Sequence, residues 1–179
     1  MNFIEEYRIP DEVCDELMAY YEAETKHQGH CGGVCNLDVK DSMDCLLKDK
    51  DLYTKYVKHL GDCTRQYKEK YEFSKDLVAK WGVAEPINLQ KYEPGGGFKV
   101  WHCERTNISN VKRHMVFMTY LNDVTDAGET AFFYQNVKFK PEKGKTLLWP
   151  ADWTHTHKGI VSPTQVKYIA TGWISFLDT

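Results

Sequence analysis

The chain changes character at Pro86, and this change limits the folds that are open to it. From Pro86 onward, short β-prone runs alternate with Gly, Pro, Asn and Asp, which are turn-forming residues. Such a pattern is typical of antiparallel sheets closed into a barrel or a jelly roll. The runs are INLQKY, RHMVFMTYL, ETAFFY, VKFK, TLLW and QVKYIATGWISF.

The residues before Pro86 have helical periodicity instead. Residues 9–24 contain Pro10, which is suited to a first turn, and residues 48–73 carry one apolar stripe at helical spacing. Between them, residues 26–42 are rich in glycine and polar side chains and are predicted to form a loop near the mouth of the site. We therefore expect an α+β protein, mostly β, with helices packed outside a jelly-roll barrel. It would be one domain over residues 1–179, with helical support in about 1–84 and a core in about 85–177.

Composition excludes several classes of protein. The 179 residues are 42% hydrophobic and carry a formal charge of −3, which suits a globular protein and argues against a nucleic-acid backbone or an anionic membrane as partner. The N-terminus is acidic where a secretory signal would be basic, and the six cysteines are scattered. These features predict a cytoplasmic protein, and they do not indicate an oligomeric state.

Two separated segments offer ligands for a metal. On an extended backbone, His102 and Glu104 in VWHCERT point to one side, and DWTHTHKG supplies His155 and His157 downstream. Two imidazoles and one carboxylate form the facial arrangement that suits non-haem Fe(II), with positions left open for reactants. On these residues alone, a surface pair or a zinc site remains an equal alternative.

Lys167 lies in a run that is apolar on both faces if it is extended. A lysine buried there needs an anion, and a carboxylate-bearing cosubstrate would supply one. The alternative is that Lys167 sits near the strand end and extends its ammonium into water.

Several motifs, in order, resemble one enzyme family. LQKYEPGGGFKVWHCE, RHMVFMTYLNDVTDAGETAFF, VKFKPEKGKTLLWP and HKGIVSPTQVKYIATGWISF are similar to the catalytic domain of the prolyl 4-hydroxylase-like 2-oxoglutarate/Fe(II) dioxygenases. The resemblance covers residues 85–177, with a weaker echo in IPDEVCDEL. It implies a double-stranded β-helix that hydroxylates a C–H bond, with a proline in a peptide or protein as the expected substrate and succinate and CO₂ as products. It also implies Fe(II), 2-oxoglutarate and O₂, with ascorbate as reductant.

The resemblance assigns roles residue by residue. His102, Glu104 and His157 would be the catalytic iron ligands, and the ten-residue interval between His157 and Lys167 favours His157 over His155. His155 could still support the site or replace a ligand. Lys167 would pair with the distal carboxylate of 2-oxoglutarate. Beside the cosubstrate would lie Tyr92 and Thr119, and on the substrate side Arg113 and Trp173.

Two departures from the family pattern keep other functions open. Glu104 stands where the family usually has aspartate, and Lys99 stands where prolyl hydroxylases commonly have a tyrosine. The alternatives are a hydroxylase of a free amino acid or other small molecule, and a non-enzymatic metal-binding jelly roll. An oxygenase of nucleic-acid bases is a further alternative, but it would need a basic groove.

Overall fold

The computed structural model describes residues 1–177, with three α-helices before the barrel: α1 (Asp11–Ala23), α2 (Lys50–Lys70) and α3 (Phe73–Asp76). Pro10 precedes α1 and cannot continue a helix backwards, because it lacks an N–H. At the start of α2, the Asp49 carboxylate accepts a hydrogen bond of 2.8 Å from the Leu52 amide. Of these helices, α1 and α2 agree closely with the predicted 9–24 and 48–73.

Residues 1–177 also form thirteen β-strands. The first five precede Pro86 and the rest follow it. They are β1 (Glu5–Arg8), β2 (His27–Gln28), β3 (Lys40–Asp41), β4 (Met43–Leu46), β5 (Trp81–Val83), β6 (Asn88–Tyr92), β7 (Gly97–Phe98), β8 (Arg113–Tyr120), β9 (Thr130–Phe132), β10 (Val137–Phe139), β11 (Lys145–Pro150), β12 (His157–Gly159) and β13 (Lys167–Phe176).

The strands form two main sheets and one small pair. The major sheet has the order β1-β11-β8-β13-β6-β4-β2, and β5 also pairs with β13. The minor sheet has the order β10-β9-β12, and β3 pairs with β7. Every pairing in the three sheets is antiparallel. The two main sheets face each other as a double-stranded β-helix, which confirms the predicted fold.

The alternation of side chains along β8 separates two cores. Met115 and Phe117 pack against the helices, whereas Val116, Met118 and Tyr120 face the minor sheet. The core between the major sheet and the helices contains the predicted apolar stripe of α2. Its buried residues are Tyr56, Leu60, Cys63 and Tyr67. The central strands are thus covered on both faces, which makes the major sheet a firm base for the site.

The part of the chain expected to give helical support contributes more than helices. Strands β1, β2, β4 and β5 extend the major sheet, and β3 pairs with β7. Both β2 and β3 lie within residues 26–42, which were predicted to form a loop. These strands are two to four residues long and have polar stretches such as EEYR. Their pairing therefore comes from tertiary contacts rather than from a local pattern.

Candidate metal centre

Backbone pairing brings His102 and His157 side by side. The His102 amide donates to the His157 carbonyl at 3.0 Å, and the His157 amide donates to the His102 carbonyl at 2.9 Å. The Phe98 ring stacks on the His102 imidazole with 3.6 Å between centroids and 10° between planes. The Trp149 ring meets the His157 imidazole edge-on at 5.0 Å. Both imidazoles are therefore fixed in position before any ligand binds.

Glu104 completes a group of three possible ligands. Its amide donates to the Ala151 carbonyl, just after β11, at 3.1 Å. Its Oε1 then lies 3.4 Å from Nε2 of His102 and 3.5 Å from Nε2 of His157. One potential ligand atom from each residue falls within 4.8 Å of the others, and this is the one such group of three or more found among residues 1–177.

The hydrogen bonds of the two imidazoles fix the tautomer that a metal requires. Nδ1 of His102 lies 3.0 Å from the Val100 carbonyl, and Nδ1 of His157 lies 2.9 Å from the His155 carbonyl. A carbonyl oxygen only accepts, so each Nδ1 carries a proton, and in the neutral imidazole each Nε2 keeps a lone pair directed at Glu104. Two lone pairs facing a carboxylate oxygen repel one another unless a cation or a proton lies between them. The donor set thus fits a divalent metal bound by nitrogen and oxygen.

The ionisation of these groups agrees with metal binding. Burial, and to a lesser extent the neighbouring His102, lowers the pKa of His157, which keeps its imidazole neutral near pH 7. Burial raises the pKa of Glu104, but hydrogen bonds and charge from His102 and His157 in their protonated forms outweigh it and hold that pKa well below its usual range. A neutral imidazole and an ionised carboxylate are the forms that bind metal.

The second oxygen of Glu104 is held by the two residues that were assigned to substrate. Trp173 Nε1 donates to Glu104 Oε2 at 2.9 Å, and the Arg113 guanidinium lies 3.9 Å from that oxygen. The guanidinium stacks over the Trp173 ring at 3.4 Å and pairs with Glu85 at 2.7 Å. Because these contacts occupy Oε2, they leave Oε1 facing the histidines. The observed contacts of Arg113 and Trp173 therefore orient Glu104, and contact of either residue with substrate remains a prediction.

His155 lies apart from this group. Its Nε2 is 2.8 Å from the Asn2 carbonyl, and its Nδ1 is 3.0 Å from the Thr154 hydroxyl. Both ring nitrogens are thus engaged by neighbours, while its carbonyl accepts the Nδ1 proton of His157. The His155 side chain therefore contacts Thr154 and Asn2, and its backbone carbonyl contacts His157.

Lys167 is a buried cation beside the histidine strand. It is 5% exposed, and its Nζ donates to the Gly128 carbonyl at 2.9 Å. Gly128 has φ +83°, which a side chain would oppose, and this conformation belongs to the turn that presents its carbonyl. Among residues 1–177 no carboxylate lies within ion-pair distance of Nζ, so two of its three N–H groups are available to an anion. Burial lowers the pKa of Lys167 to about 8, although Glu129 acts in the opposite direction.

Tyr92 lies beside Lys167 and leads to a buried polar network that the sequence did not reveal. The two residues are paired across β6 and β13, and Lys167 Nζ is 5.2 Å from the centre of the Tyr92 ring. The Tyr92 hydroxyl donates to Gln90 Oε1 at 2.6 Å, and Gln90 Nε2 donates to Asp44 at 3.2 Å. Asp44 in turn pairs with buried Lys40 at 2.6 Å. The end of the 26–42 segment is therefore connected, through hydrogen bonds, to the residues beside Lys167.

Thr119 lies on the wrong face of the sheet for the role predicted for it. It is fully buried, and its hydroxyl is 2.7 Å from that of Tyr56 in α2 and 2.8 Å from that of Thr146. These partners place it on the helix side of β8, with Met115 and Phe117. We therefore correct the expectation and leave Thr119 out of the cosubstrate site. Its hydrogen bonds link α2 to the major sheet instead.

Comparisons with known proteins identify the family. The sequence model of the 2OG-Fe(II) oxygenase superfamily matches residues 87–175. A search of curated proteins gives no significant match to the sequence. Solved structures match over nearly the whole chain.

Three of these structures are prolyl hydroxylases of low sequence identity. Viral collagen prolyl hydroxylase from Paramecium Bursaria Chlorella virus-1, in its 2OG complex, has a TM-score of 0.73 at 20% identity, covering 98% of this chain and 97% of that one. A Pseudomonas putida prolyl-4-hydroxylase has a TM-score of 0.75 at 13% identity, covering 98% and 94%. A Trichoplax adhaerens prolyl hydroxylase in complex with a hypoxia inducible factor oxygen degradation domain peptide has a TM-score of 0.76 at 14% identity, covering 98% and 84%.

At such low sequence identity, these structural matches establish a similar fold. The family-model match covers the segment that carries His102, Glu104, His157 and Lys167. None of the helices within residues 1–177 is long and apolar enough to cross a membrane. The family implies Fe(II), 2-oxoglutarate and O₂, which suits the donor set described above. The chain belongs to the 2OG-Fe(II) oxygenase superfamily and is a 2-oxoglutarate/Fe(II)-dependent dioxygenase.

Proposed function

We propose that this dioxygenase hydroxylates a proline within a peptide or protein, with His102, Glu104 and His157 as its iron ligands. The observation that carries the proposal is the convergence of His102, Glu104 and His157, whose potential ligand atoms lie within 4.8 Å of one another, with both Nε2 atoms facing Glu104 Oε1. A group of this composition binds iron on one side and leaves the other side for reactants. When bound, Fe(II) with 2-oxoglutarate and O₂ supplies the oxidising chemistry, which yields succinate, CO₂ and a hydroxylated C–H position.

The neighbouring residues keep the three ligands in place. Carbonyls of Val100 and His155 hold the two imidazoles, and Trp173 holds the free oxygen of Glu104. Glu104 is one methylene longer than the aspartate usual in the family, and a longer side chain has more conformations to lose on binding. The Trp173 and Arg113 contacts limit those conformations.

Lys167 and Tyr92 form the proposed anchor for 2-oxoglutarate. A carboxylate placed against Lys167 would gain a charge-assisted hydrogen bond in a buried environment. Nζ also lies 3.8 Å from the position that a Cβ on Gly159 would occupy, and Gly159 is in the strand that begins with His157. Lys167 is therefore within reach of the histidine strand, as an anchor for a short dicarboxylate must be.

The choice of a peptidyl proline rests on the similar structures. One is a viral collagen prolyl hydroxylase, and another is a prolyl hydroxylase in complex with a hypoxia inducible factor peptide fragment. A hydroxylase that acts on a free amino acid or another small molecule would use the same iron site. The two proposals differ in whether a peptide stimulates turnover.

The test is succinate formation by the purified protein with Fe(II), 2-oxoglutarate and ascorbate. Proline-containing peptides are added, and each is examined by mass spectrometry for one added oxygen. We expect peptide-dependent succinate and a peptide whose hydroxylated residue is proline. Matched peptides with alanine in place of proline serve as the control and should stay unoxidised.

Other results would change the proposal in defined ways. Oxidation of free proline or another amino acid, with no response to peptides, would replace the peptide substrate by a small molecule. Turnover unchanged without ascorbate would remove ascorbate as the reductant. Absence of succinate in the presence of bound iron would contradict the proposed reaction itself.

A further inference from the structure

Four aromatic rings form a continuous exposed surface that the iron site does not use. We call it the aromatic ladder, and it consists of Trp101, Phe133, Tyr134 and Trp153. These side chains are 41%, 56%, 60% and 63% exposed, respectively. Their ring centroids are 5.2 Å apart between Trp101 and Phe133, 5.2 Å between Phe133 and Tyr134, and 5.8 Å between Tyr134 and Trp153. Single exposed apolar residues are ordinary, but a contiguous aromatic patch marks an interaction surface.

The aromatic ladder begins beside the iron ligands. Trp101 is adjacent to His102 in sequence, and Phe133 follows Phe132, whose ring lies 5.6 Å from that of His157. Lys158, next to His157, places its ammonium 4.6 Å from the centre of the Trp101 ring. The aromatic ladder is thus continuous with the site, and a chain leaving that site could pass directly onto it.

Backbone contacts hold the aromatic ladder in place. The Phe133 amide donates to the Thr156 carbonyl at 2.9 Å, and the Gln135 side chain donates to the Thr154 carbonyl at 2.9 Å. The Thr156 hydroxyl closes the same turn onto the Trp153 carbonyl at 2.6 Å. Because residues 133–135 are joined to residues 153–156, the rings are presented on a fixed frame. A preformed surface loses little conformational entropy when a partner binds.

The spacing of the rings suits an extended proline-rich chain. The ring-to-ring steps of 5.2 to 5.8 Å are up to about 1 Å shorter than the rise of two residues in a polyproline II helix, which is about 6.2 Å. Proline-rich segments bind aromatic-lined grooves because their extended conformation is already populated before binding. Four successive rings provide more surface than one free amino acid can cover, so the partner is a chain.

We propose that the aromatic ladder binds the proline-rich segment that flanks the target residue, and so holds the substrate outside the iron site. This inference rests on the proposed function, since it takes a peptide as the substrate. It adds a second binding surface whose residues are neither the proposed iron ligands nor the proposed 2-oxoglutarate anchor. Their loss is expected to weaken peptide binding and leave the chemistry of the centre intact.

The experiment measures peptide binding without turnover. Protein with Fe(II) and 2-oxoglutarate is kept free of O₂, and a fluorescently labelled nine-residue proline-rich peptide is titrated. The variants are Trp153→Ala and Tyr134→Ala, with Ile108→Ala as a matched control, since Ile108 is an 86% exposed apolar residue outside the aromatic ladder. We expect Kd to rise about three- to tenfold in each ladder variant, as for the loss of one aromatic contact. The control should bind as the unaltered protein does, and unchanged melting temperatures would show that all the variants are folded.

Three results would overturn the inference. The first is equal affinity of the ladder variants and the unaltered protein for the peptide. The second is equal affinity for a nine-residue peptide in which alanine replaces proline. The third is self-association of the protein that Trp153→Ala abolishes, which would assign the surface to a second copy of the chain.

Admission of O₂ then separates the two proposals. If the peptide binds through the aromatic ladder and is not oxidised, prolyl hydroxylation fails and the binding surface stands. If the peptide is oxidised with the same KM in ladder variants and unaltered protein, the reaction stands and the binding surface fails.

Discussion

The position of Glu104 depends on the hydrogen bond from one tryptophan. Oε1 faces both histidines because Trp173 Nε1 engages Oε2 at 2.9 Å. Removing a group that orients a metal ligand typically lowers metal affinity or activity by about 10- to 100-fold. Trp173 is therefore expected to act through Glu104.

Replacing Trp173 with phenylalanine tests this role. Trp173→Phe keeps an aromatic ring under the Arg113 guanidinium but removes the indole N–H donor. We expect metal affinity to fall about tenfold, measured by titration of the metal-free protein with Fe(II) under anaerobic conditions. Trp153→Phe, the same change at an exposed position, should have no effect. Equal metal affinity in Trp173→Phe and the unaltered protein would contradict the role.

The pKa of Lys167 predicts how 2-oxoglutarate binding changes with pH. Burial lowers that pKa to about 8, so the ammonium is charged at pH 7 and mostly neutral at pH 9. Since a neutral amine does not attract a carboxylate, KM for 2-oxoglutarate should rise about tenfold between pH 7 and pH 9. Steady-state measurement of KM at several pH values provides the check.

Arginine at the same position provides the control. Lys167→Arg remains charged throughout this range, so its KM for 2-oxoglutarate should be independent of pH between 7 and 9, whatever its absolute value. The same rise in KM in the arginine variant would show that another group titrates.

At the scale of elements, the buried pair Lys40–Asp44 joins β3 and β4 to the barrel. Lys40 and Asp44 are 5% and 2% exposed, and Asp44 also accepts hydrogen bonds from Ser42, Asn88 and Gln90. Lys40 is itself paired in register with Phe98, the residue that stacks on His102. The pair therefore connects the 26–42 segment to the iron centre.

Removing one member of the pair should destabilise the fold. Asp44→Ala leaves the buried Lys40 ammonium without its partner, and we expect a loss of about 3–5 kcal/mol in the free energy of unfolding, measured by denaturant titration. Lys143–Asp15 is also a 2.6 Å pair, but its aspartate side chain is 59% exposed. Asp15→Ala should therefore cost at most about 1 kcal/mol. Similar losses of unfolding free energy in Asp44→Ala and Asp15→Ala would show that the buried pair stabilises the fold no more than the exposed pair does.

Sequence patterns located most elements of this protein but not every face. Helices α1 and α2 follow from their apolar spacing, and most strands after Pro86 follow from their composition and turn residues. The exceptions are β7 and β12, which have two and three residues and lie outside the predicted runs. The face of Thr119 could not be inferred, because its run, VFMTYL, is apolar on both sides and alternation gives no signal. The network of Asp44 and Gln90 also escaped prediction, since it joins residues from different strands that meet only after folding.

At the scale of the whole molecule, the site lies where the two sheets are joined. His157 begins a strand of the minor sheet, Lys167 begins a central strand of the major sheet, and His102 is bonded to His157 between them. The helices cover the opposite face of the major sheet, where they pack against Met115 and Phe117. The motifs around the ligands could therefore indicate the chemistry before the fold was known, while the supporting contacts required the structure.

The central claim is that His157, with His102 and Glu104, holds the iron, while His155 does not. The most direct test compares His157→Ala with His155→Ala in succinate formation from 2-oxoglutarate, at saturating Fe(II) and with equal amounts of folded protein. We expect His157→Ala to abolish succinate formation and His155→Ala to retain a measurable part of it. Full turnover in His157→Ala with complete loss in His155→Ala would contradict the account and move the iron to the other histidine.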